Sequence, residues 1–458
     1  MQNAKKIMLL LPTGMTIRNF LNTDIVKNIL EKSSHEIICC VNNPEKYRAY
    51  FEHGRIQYIN FYEKKMYSFS NLLMMVLRRR FYAINENKTL TVLKKNPFFK
   101  NNLKDKILSF LPYPFPKSKI IFNALKFLQK SVYFSPIEIK TQFEHHKPDL
   151  IFSTHLVARH EYGYLMEAKK RDIPTIGMVK SFDNLTGKGF LPYKTDYAIV
   201  WNDILKDELI SIYKYDESNI SVTGVPQFDI YKESPKISRY EFFKKYNLKK
   251  NMKVILFATN SQLISPDDFE YVEFLASKLI ELNAQMIVRI HPTDHIGRYK
   301  GVQYKNVCFQ IPGAEDGDGS NERVAAKEFL EDLSDTLYFS DVTINTASTM
   351  SLDAIAHDKP VVNIAFDMVD KPYFKSVERY YEFVHYQPII DSNATSIAKN
   401  KIELYEYLES YLNNSDQLKV ERQNLRNQML AGQKGDASKN VAETILQILN
   451  RSRVNSLS

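Results

Sequence analysis

The chain has 458 residues, more than one ordinary hydrophobic core accommodates, so its length points to two domains. A hydrophobic content of 44% excludes a disordered chain, and three cysteines, Cys39, Cys40 and Cys308, offer neither a disulfide framework nor a metal-binding spacing. The net charge is +9, but Lys64 to Lys130 holds fifteen Lys and Arg against only Glu86 and Asp105, which leaves the remainder at about −4.

The start, MQNAKKIMLLLP, carries an apolar run of about six residues that passes straight into Pro12-Thr13-Gly14. That run is too short for a signal peptide, and no stretch approaches the roughly 18 apolar residues that span a bilayer. A cytoplasmic chain is expected, with Cys39-Cys40 as buried thiols in a reducing compartment. Lys6–Pro12 reads as a buried first strand. A helix is expected from Gly14 to about Glu31, then strands at His35–Val41 and Ile56–Phe61. Alternation of this kind, with continuously apolar strands, signals a parallel sheet covered by helices. No G-x-G-x-x-G follows the first strand, which argues against a dinucleotide site there.

The basic segment, about 64–131, comes next. It sets apolar residues at helical spacing among Lys and Arg, with aromatics clustered beside them. Basic amphipathic helices of this composition lie on anionic membrane surfaces, where each basic residue contributes about 1 kcal/mol. Helices packed on the sheet with solvated lysines are the plainer alternative. Nucleic acid is not expected, because no nucleic-acid motif accompanies the charge.

A second α/β run follows. Strands are expected at Asp149–Thr154, Thr175–Val179, Asp196–Trp201 and Ile220–Thr223, and helices at Val157–Lys170 and Asn202–Tyr213. Gly224-Val225-Pro226 breaks the pattern, and Lys232–Ser238 reads as a linker. The alternation restarts with a strand at Val254–Ala258, a helix at Asp267–Leu282, a strand at Gln285–Ile290 and a helix at Ala326–Leu337. Domains of 1–231 and 239–435 result, with 436–458 as a last helix, capped by Asp436, that crosses back to the first domain. The acidic loop Glu315–Gly319 fits no complete cation-binding loop and reads as an exposed turn, so no metal site is expected.

Asp335 to Asp367 forms a strand–turn–helix–strand unit. Its turn, Asn345-Thr346-Ala347-Ser348-Thr349, sets hydroxyls and N–H groups where a helix begins, an arrangement that caps the helix or binds an anion. Ligands of open α/β sheets bind beyond the carboxyl ends of the strands. Polar groups gather at five such ends: Thr154-His155, Lys180–Asp183, Thr259-Asn260, Arg289–His291 and Asn345–Thr349.

Four blocks carry a resemblance to a known family: SFDNLTGKG (Ser181–Gly189), VTGVPQFD (Val222–Asp229), RIHP (Arg289–Pro292), and the last unit with Asp341, Ser348, Thr349, Asp353, Lys359-Pro360 and Asp367. In their order and spacing the chain resembles a GT-B glycosyltransferase, of the branch that holds CDP-glycerol glycerophosphotransferases and bacterial surface-polysaccharide enzymes. The resemblance implies an α/β fold of two Rossmann-like domains whose parallel sheets face a central cleft. It also implies an inverting, metal-independent transfer from a nucleotide-sugar donor to a glycan or lipid-linked acceptor, with no further cofactor. The enzyme would work at the inner face of the cell membrane.

The donor phosphates would meet Arg289, His291, Ser348, Thr349, Asn345, Thr259 and Asn260, with Lys188 as a further phosphate contact and Asp353 accepting a ribose or sugar hydroxyl. Glycerophosphotransferases carry a histidine in the block where this chain has Asp183. A carboxylate there suits deprotonation of an acceptor hydroxyl in sugar transfer. His155 and Glu161 stand as further base candidates. The other readings are a CDP-glycerol or ribitol phosphotransferase of the teichoic-acid kind, a nucleotide-sugar 2-epimerase, and a non-catalytic polysaccharide-assembly protein.

Overall fold

The computed structural model describes residues 4–49, 51–63, 68–95, 117–262, 264–294, 296–299, 304–313, 324–326, 328–432 and 434–451. The acidic loop Glu315–Gly319 and residues 64–67 and 96–116 of the basic segment lie outside them. The chain divides into two compact units. One comprises Met1–Thr16, Asp24–Thr223 and Lys439–Ser458, and the other Ile17–Thr23 and Gly224–Ser438. The division thus falls at Thr223/Gly224, where Gly224 takes a φ of +84° that a side chain would resist. Gly224–Tyr231 packs with the second unit.

The first unit holds a parallel sheet of β1 (Lys6–Leu11), β2 (Glu36–Val41), β3 (Ile56–Asn60), β4 (Leu150–Ser153), β5 (Thr175–Met178), β6 (Tyr197–Val200) and β7 (Ile220–Val222). Their order is β3-β2-β1-β4-β5-β6-β7. The second unit repeats this with β8 (Lys253–Ala258), β9 (Ala284–Arg289), β10 (Val307–Gln310), β11 (Val342–Asn345), β12 (Val361–Ile364) and β13 (Ser396–Ala398), ordered β10-β9-β8-β11-β12-β13. Both are doubly wound Rossmann orders, with the topological switch point between β1 and β4 in one sheet and between β8 and β11 in the other.

The central strands are mostly apolar because helices cover both faces. Ile7 to Leu11, Ile37 to Val41 and Val254 to Phe257 are all but fully buried. The helix expected from Gly14 to Glu31 is two, Gly14–Leu21 and Ile25–Lys32, parted at Asn22–Asp24. Asn22 donates its amide to the carbonyls of Ala325 and Ala326 at 3.1 and 3.0 Å, a tertiary tie that local sequence does not announce. The last helix, Ala437–Arg451, receives its N-terminal acceptors from Asp229, which takes the N–H groups of Ala437 and Ser438 at 3.1 and 2.7 Å. This gives the VTGVPQFD block a structural purpose.

Two of the described helices of the basic segment, Ser68–Ile84 and Lys119–Ser131, pack together and bury Leu73, Met74, Leu77 and Phe81 beside Phe190. Their other sides leave Ile120 83% and Phe127 74% exposed among Lys119, Lys126 and Lys130. No helix among the described residues is long and apolar enough to cross a membrane.

Gly177 of β5 lets the sheet close on its covering layer. A Cβ there would stand 2.2 Å from Leu156 Cδ1 and 2.8 Å from Thr195 Oγ1. Gly177→Ala is expected to cost about 1–3 kcal/mol through overpacking, read as a lowered urea midpoint at unchanged slope.

Candidate active site

In the first unit the polar groups gather beyond β4 and β5. Thr154 donates its hydroxyl to the Leu10 carbonyl at 2.5 Å, tying the end of β4 to β1 across the switch point. Glu161, just before the helix Tyr162–Lys170, is wholly buried and accepts the Ser153 hydroxyl at 2.5 Å. Burial pushes its carboxyl up to about 8, although the Ser153 hydroxyl, Lys180 and the N–H groups of His155 and Thr154 pull the other way. Burial, then Lys180, Lys188 and His160, push His155 down to about 2, and burial and Lys180 push His160 down to about 4. Both imidazoles are therefore neutral at working pH, and His155 is a weak base.

Asp183 precedes a π-helical turn, Asn184–Lys188, a rare conformation that is frequent at functional sites. Its carboxylate is half-buried. One oxygen pairs with the Lys188 ammonium at 3.0 Å, and the other accepts the Asn184 amide at 2.9 Å. Tyr213 holds the loop from beneath by donating to the carbonyls of Leu185, at 2.7 Å, and Gly189. Asp183 and Lys188 thus form one charged pair, and His155 lies within the electrostatic reach of both.

In the second unit the residues expected at the donor divide into two layers. His291 is half-buried. Its N–H donates to Thr259 Oγ1 at 2.8 Å, and its Nδ1 accepts the Thr293 N–H at 3.1 Å, which places the neutral ring's proton on Nε2. Ser348 is half-buried and Thr349 exposed.

Asn345 is fully buried and corrects the expectation of a ligand contact. Its Oδ1 accepts the Ser348 N–H, the Ser348 hydroxyl and the Ser351 hydroxyl at 3.1, 2.9 and 3.3 Å. Its work is to shape the turn, in which Ala347 takes the strained φ of +36°. Thr259 and Asn260 are buried too. Asn260 donates its N–H to Asp268 and its amide to the Thr346 carbonyl, at 2.6 and 2.8 Å, bracing β8 against the turn after β11.

The turn's N–H groups, expected to be open, are largely spent internally. Ala347 donates to Tyr381, Ser348 to Asn345 and Met350 to Ser348 Oγ. The following helix, Met350–Ala356, has only seven residues. What this turn presents outward is side-chain hydroxyl rather than a row of backbone donors.

Arg289 and Asp353 belong to a buried charge cluster. Arg289 Nη1 donates to Gln310 and Asp332 at 2.6 and 2.8 Å, its guanidinium lies 5.3 Å from the Phe329 ring, and its buried Nη2 has no partner. Arg18 sits 5.3 Å from the same ring. Asp353 accepts the Tyr231 hydroxyl at 2.5 Å. Burial raises its carboxyl to about 6, against the Tyr231 bond, Arg18 and Arg289. Asp353 is therefore no solvated helix carboxylate.

Arg18, Tyr231, Asp332 and His160 were not singled out from sequence. Arg18, Tyr231 and Asp332 acquire their places through residues far away in the chain. Among the described residues no group of three or more His, Cys, Asp and Glu is placed to hold a metal.

A family profile described as CDP-Glycerol:Poly(glycerophosphate) glycerophosphotransferase matches residues 186–447, more than half of the chain. The chain belongs to this family. It is a transferase, as the resemblance implied. The matched span contains VTGVPQFD from Val222, RIHP and the Asn345–Thr349 turn, and it begins three residues after Asp183.

No curated protein sequence matches. Several solved structures do. One is S. aureus MnaA with UDP, with TM-score 0.57 and 12% identity, covering 97% of each chain. Another is the Neisseria meningitidis UDP-GlcNAc 2-epimerase bound to UDP-GlcNAc, with TM-score 0.55 and 12% identity, covering 96% of this chain and 100% of that one. A third is a variant of the wall teichoic acid polymerase TagF with CDPG, with TM-score 0.52 and 14% identity, covering 98% of this chain and 89% of that one. At such identities they establish the fold, which is GT-B.

Two outcomes follow for this glycerophosphotransferase relative. Glu161 holds a proton in the fold that the unfolded chain gives up near its ordinary value, so it makes stability fall as pH rises from about 4.5 to about 8. Glu161→Gln should flatten that part of the Tm-against-pH curve, and an unchanged slope would contradict the buried neutral acid. Tyr231→Phe removes the donor to a buried carboxylate and should cost about 1–3 kcal/mol in urea denaturation.

Proposed function

We propose that the chain transfers an alditol phosphate from a CDP-linked donor to a hydroxyl of a surface-polymer or lipid-linked acceptor, without a metal. The observation that carries this is the family match, which spans RIHP and the Ser348 turn. In this reading the second unit holds the donor. His291 Nε2–H, the hydroxyls of Ser348 and Thr349, and Arg289 through its unpartnered Nη2 meet phosphate oxygens, where donors stabilise the charge that develops on the leaving group. Asn345, Thr259 and Asn260 hold those groups in place. In the first unit Asp183 takes the proton of the attacking hydroxyl, and Lys188 keeps the carboxylate oriented.

A second reading, sugar transfer from a nucleotide diphosphate with inversion, is favoured by Asp183 itself, because a carboxylate stands where glycerophosphotransferases carry a histidine. The two differ in what they release. Attack on the β-phosphorus frees a nucleoside monophosphate, whereas attack on a sugar carbon frees a diphosphate. We assign the basic segment to an anionic bilayer at the inner face of the cell membrane, in keeping with the exposed Ile120 and Phe127 beside its lysines.

Thermal-shift screening against CDP-glycerol, CDP-ribitol and UDP, GDP and CMP sugars identifies the donor, since a ligand at 100 times its Kd adds about 2.7 kcal/mol to the native state. Chromatography of the nucleotide released then separates the readings. Cytidine monophosphate released from CDP-glycerol or CDP-ribitol supports the first, and a diphosphate released from a nucleoside diphosphate sugar replaces it with the second. Asp183→Asn should abolish transfer while keeping the donor-induced shift, and unchanged turnover would remove Asp183 as the base.

A further inference from the structure

Resting on Asp183 as the proton acceptor and on the basic segment as a bilayer contact, we propose that the two are coupled. An anionic bilayer that takes up the helices Ser68–Ile84 and Lys119–Ser131 also orders the π-helical turn behind Asp183, so that the chain is activated at the lipid surface. A π-helical turn is rare, and this one is held from outside. The Tyr82 hydroxyl donates to the Lys188 carbonyl at 3.4 Å, and the Asn87 amide donates to the Thr186 carbonyl at 3.4 Å. Tyr213, which holds Leu185 and Gly189, stacks on Phe81 with ring centroids 5.3 Å apart. Tyr82 and Phe81 belong to the helix Ser68–Ile84, and Asn87 accepts the Leu90 N–H at 2.8 Å at the start of the next helix of the segment, Lys88–Lys95. Arg78 Nε fixes the Tyr82 hydroxyl by donating to it at 2.6 Å. At the end of the turn Gly189 takes a φ of +79°, and a Cβ there would stand 2.2 Å from Tyr82 Cε1, so the turn closes on that ring only for want of a side chain. The residue whose carbonyl Tyr82 holds, Lys188, is the one whose ammonium pairs with Asp183.

The same helices carry a docking face on their other side. Ile120 and Phe127, both largely exposed, are seven residues apart and so share one side of Lys119–Ser131. The Gln129 amide donates to the Ser70 hydroxyl at 2.8 Å where the two helices meet. The exposed Phe69 and Leu72 stand within two residues of Ser70, and the exposed Phe127 and Leu128 within two of Gln129. Apolar side chains gathered in this way mark an interaction surface. Neither helix contains Asp or Glu, while Arg78, Arg79, Arg80, Lys119, Lys126 and Lys130 lie along them. Charge of one sign beside apolar side chains complements an anionic lipid surface. Because one side of these helices meets lipid and the other grips the turn, a bilayer that favours the packed helices favours the ordered turn by the same free energy.

The test compares the full chain on vesicles of phosphatidylglycerol and phosphatidylcholine with the chain on vesicles of phosphatidylcholine alone. On the anionic vesicles the amides of residues 184–189 should exchange with deuterium at least about fivefold more slowly than in the free chain. The double variant Ile120→Ser and Phe127→Ser should bind those vesicles at least about tenfold more weakly while its exchange in solution matches that of the free wild type. The double variant Tyr82→Phe and Asn87→Ala should bind as the wild type does, with the slowing reduced. With a donor identified, turnover should rise about fivefold on the anionic vesicles.

Equal binding to the two kinds of vesicle, bound wild type with unchanged exchange or unchanged turnover, or full slowing in Tyr82→Phe and Asn87→Ala overturns the coupling. So does a dimer that Phe127→Ser dissolves in a chain that binds no vesicle, which would make a second copy the occupant of this face. If one double variant does not fold, the other and the wild-type comparison decide. A chain that turns over no donor counts against the transfer reading instead, and the exchange measurement still reads the coupling.

Discussion

A strand buried on both faces has no room for a polar side chain until it ends. This constraint orders both units. Their sheets are parallel and their central strands mostly apolar and buried, so most hydroxyls, imidazoles and charges are driven to the carboxyl ends. The strand order β3-β2-β1-β4 and its repeat β10-β9-β8-β11 then send the chain opposite ways from two adjacent strands, and the opening that results lies beyond β1 and β4 in one unit and β8 and β11 in the other. Thr154 on the Leu10 carbonyl and Asn260 on the Thr346 carbonyl are equivalent braces across those openings. The groups assigned a chemical role follow β4 and β5 in the first unit and β9 and β11 in the second.

The two units handle buried titratable groups differently. In the first, Glu161, His155 and His160 are kept neutral, because the low-dielectric interior disfavours their charged forms more than their neighbours favour them. Around Arg289 in the second, charge is retained and paired. Burial alone would raise Asp332, but Arg289 and Lys245 outweigh it and hold its carboxyl below the ordinary value, while Asp353 is met by Tyr231, Arg18 and Arg289. This contrast follows from the residues each strand end carries rather than from the shared topology.

Family membership and local chemistry pull on different parts of the chain. The matched span takes in the whole second sheet and the last two strands of the first, and it stops short of the Ser181–Leu185 stretch. That stretch contains Asp183. The match therefore speaks to the second unit and to the end of the first, and not to Asp183.

The sequence by itself determined the fold class. Runs such as KIMLLL, EIICCV and KVILFA have only one stable use, as covered parallel strands, and their alternation with helices sets two Rossmann-like halves. It also determined which residues lie at strand ends, because an apolar run stops where its polar residue begins. Sequence did not determine which of those residues face outward. Asn345, Thr259 and Asn260 share the strand-end position with His291 and Ser348, yet they turn inward to satisfy backbone and hydroxyl groups that the tight turns would otherwise leave unpaired. Nor did it place Arg18 beside Asp353 and Phe329, or break the first helix at Asn22, since those depend on partners more than three hundred residues away. Periodicity is a local property and is legible in the chain. Hydrogen-bond satisfaction and charge pairing are settled by whichever groups the fold brings near, and only the tertiary structure decides them.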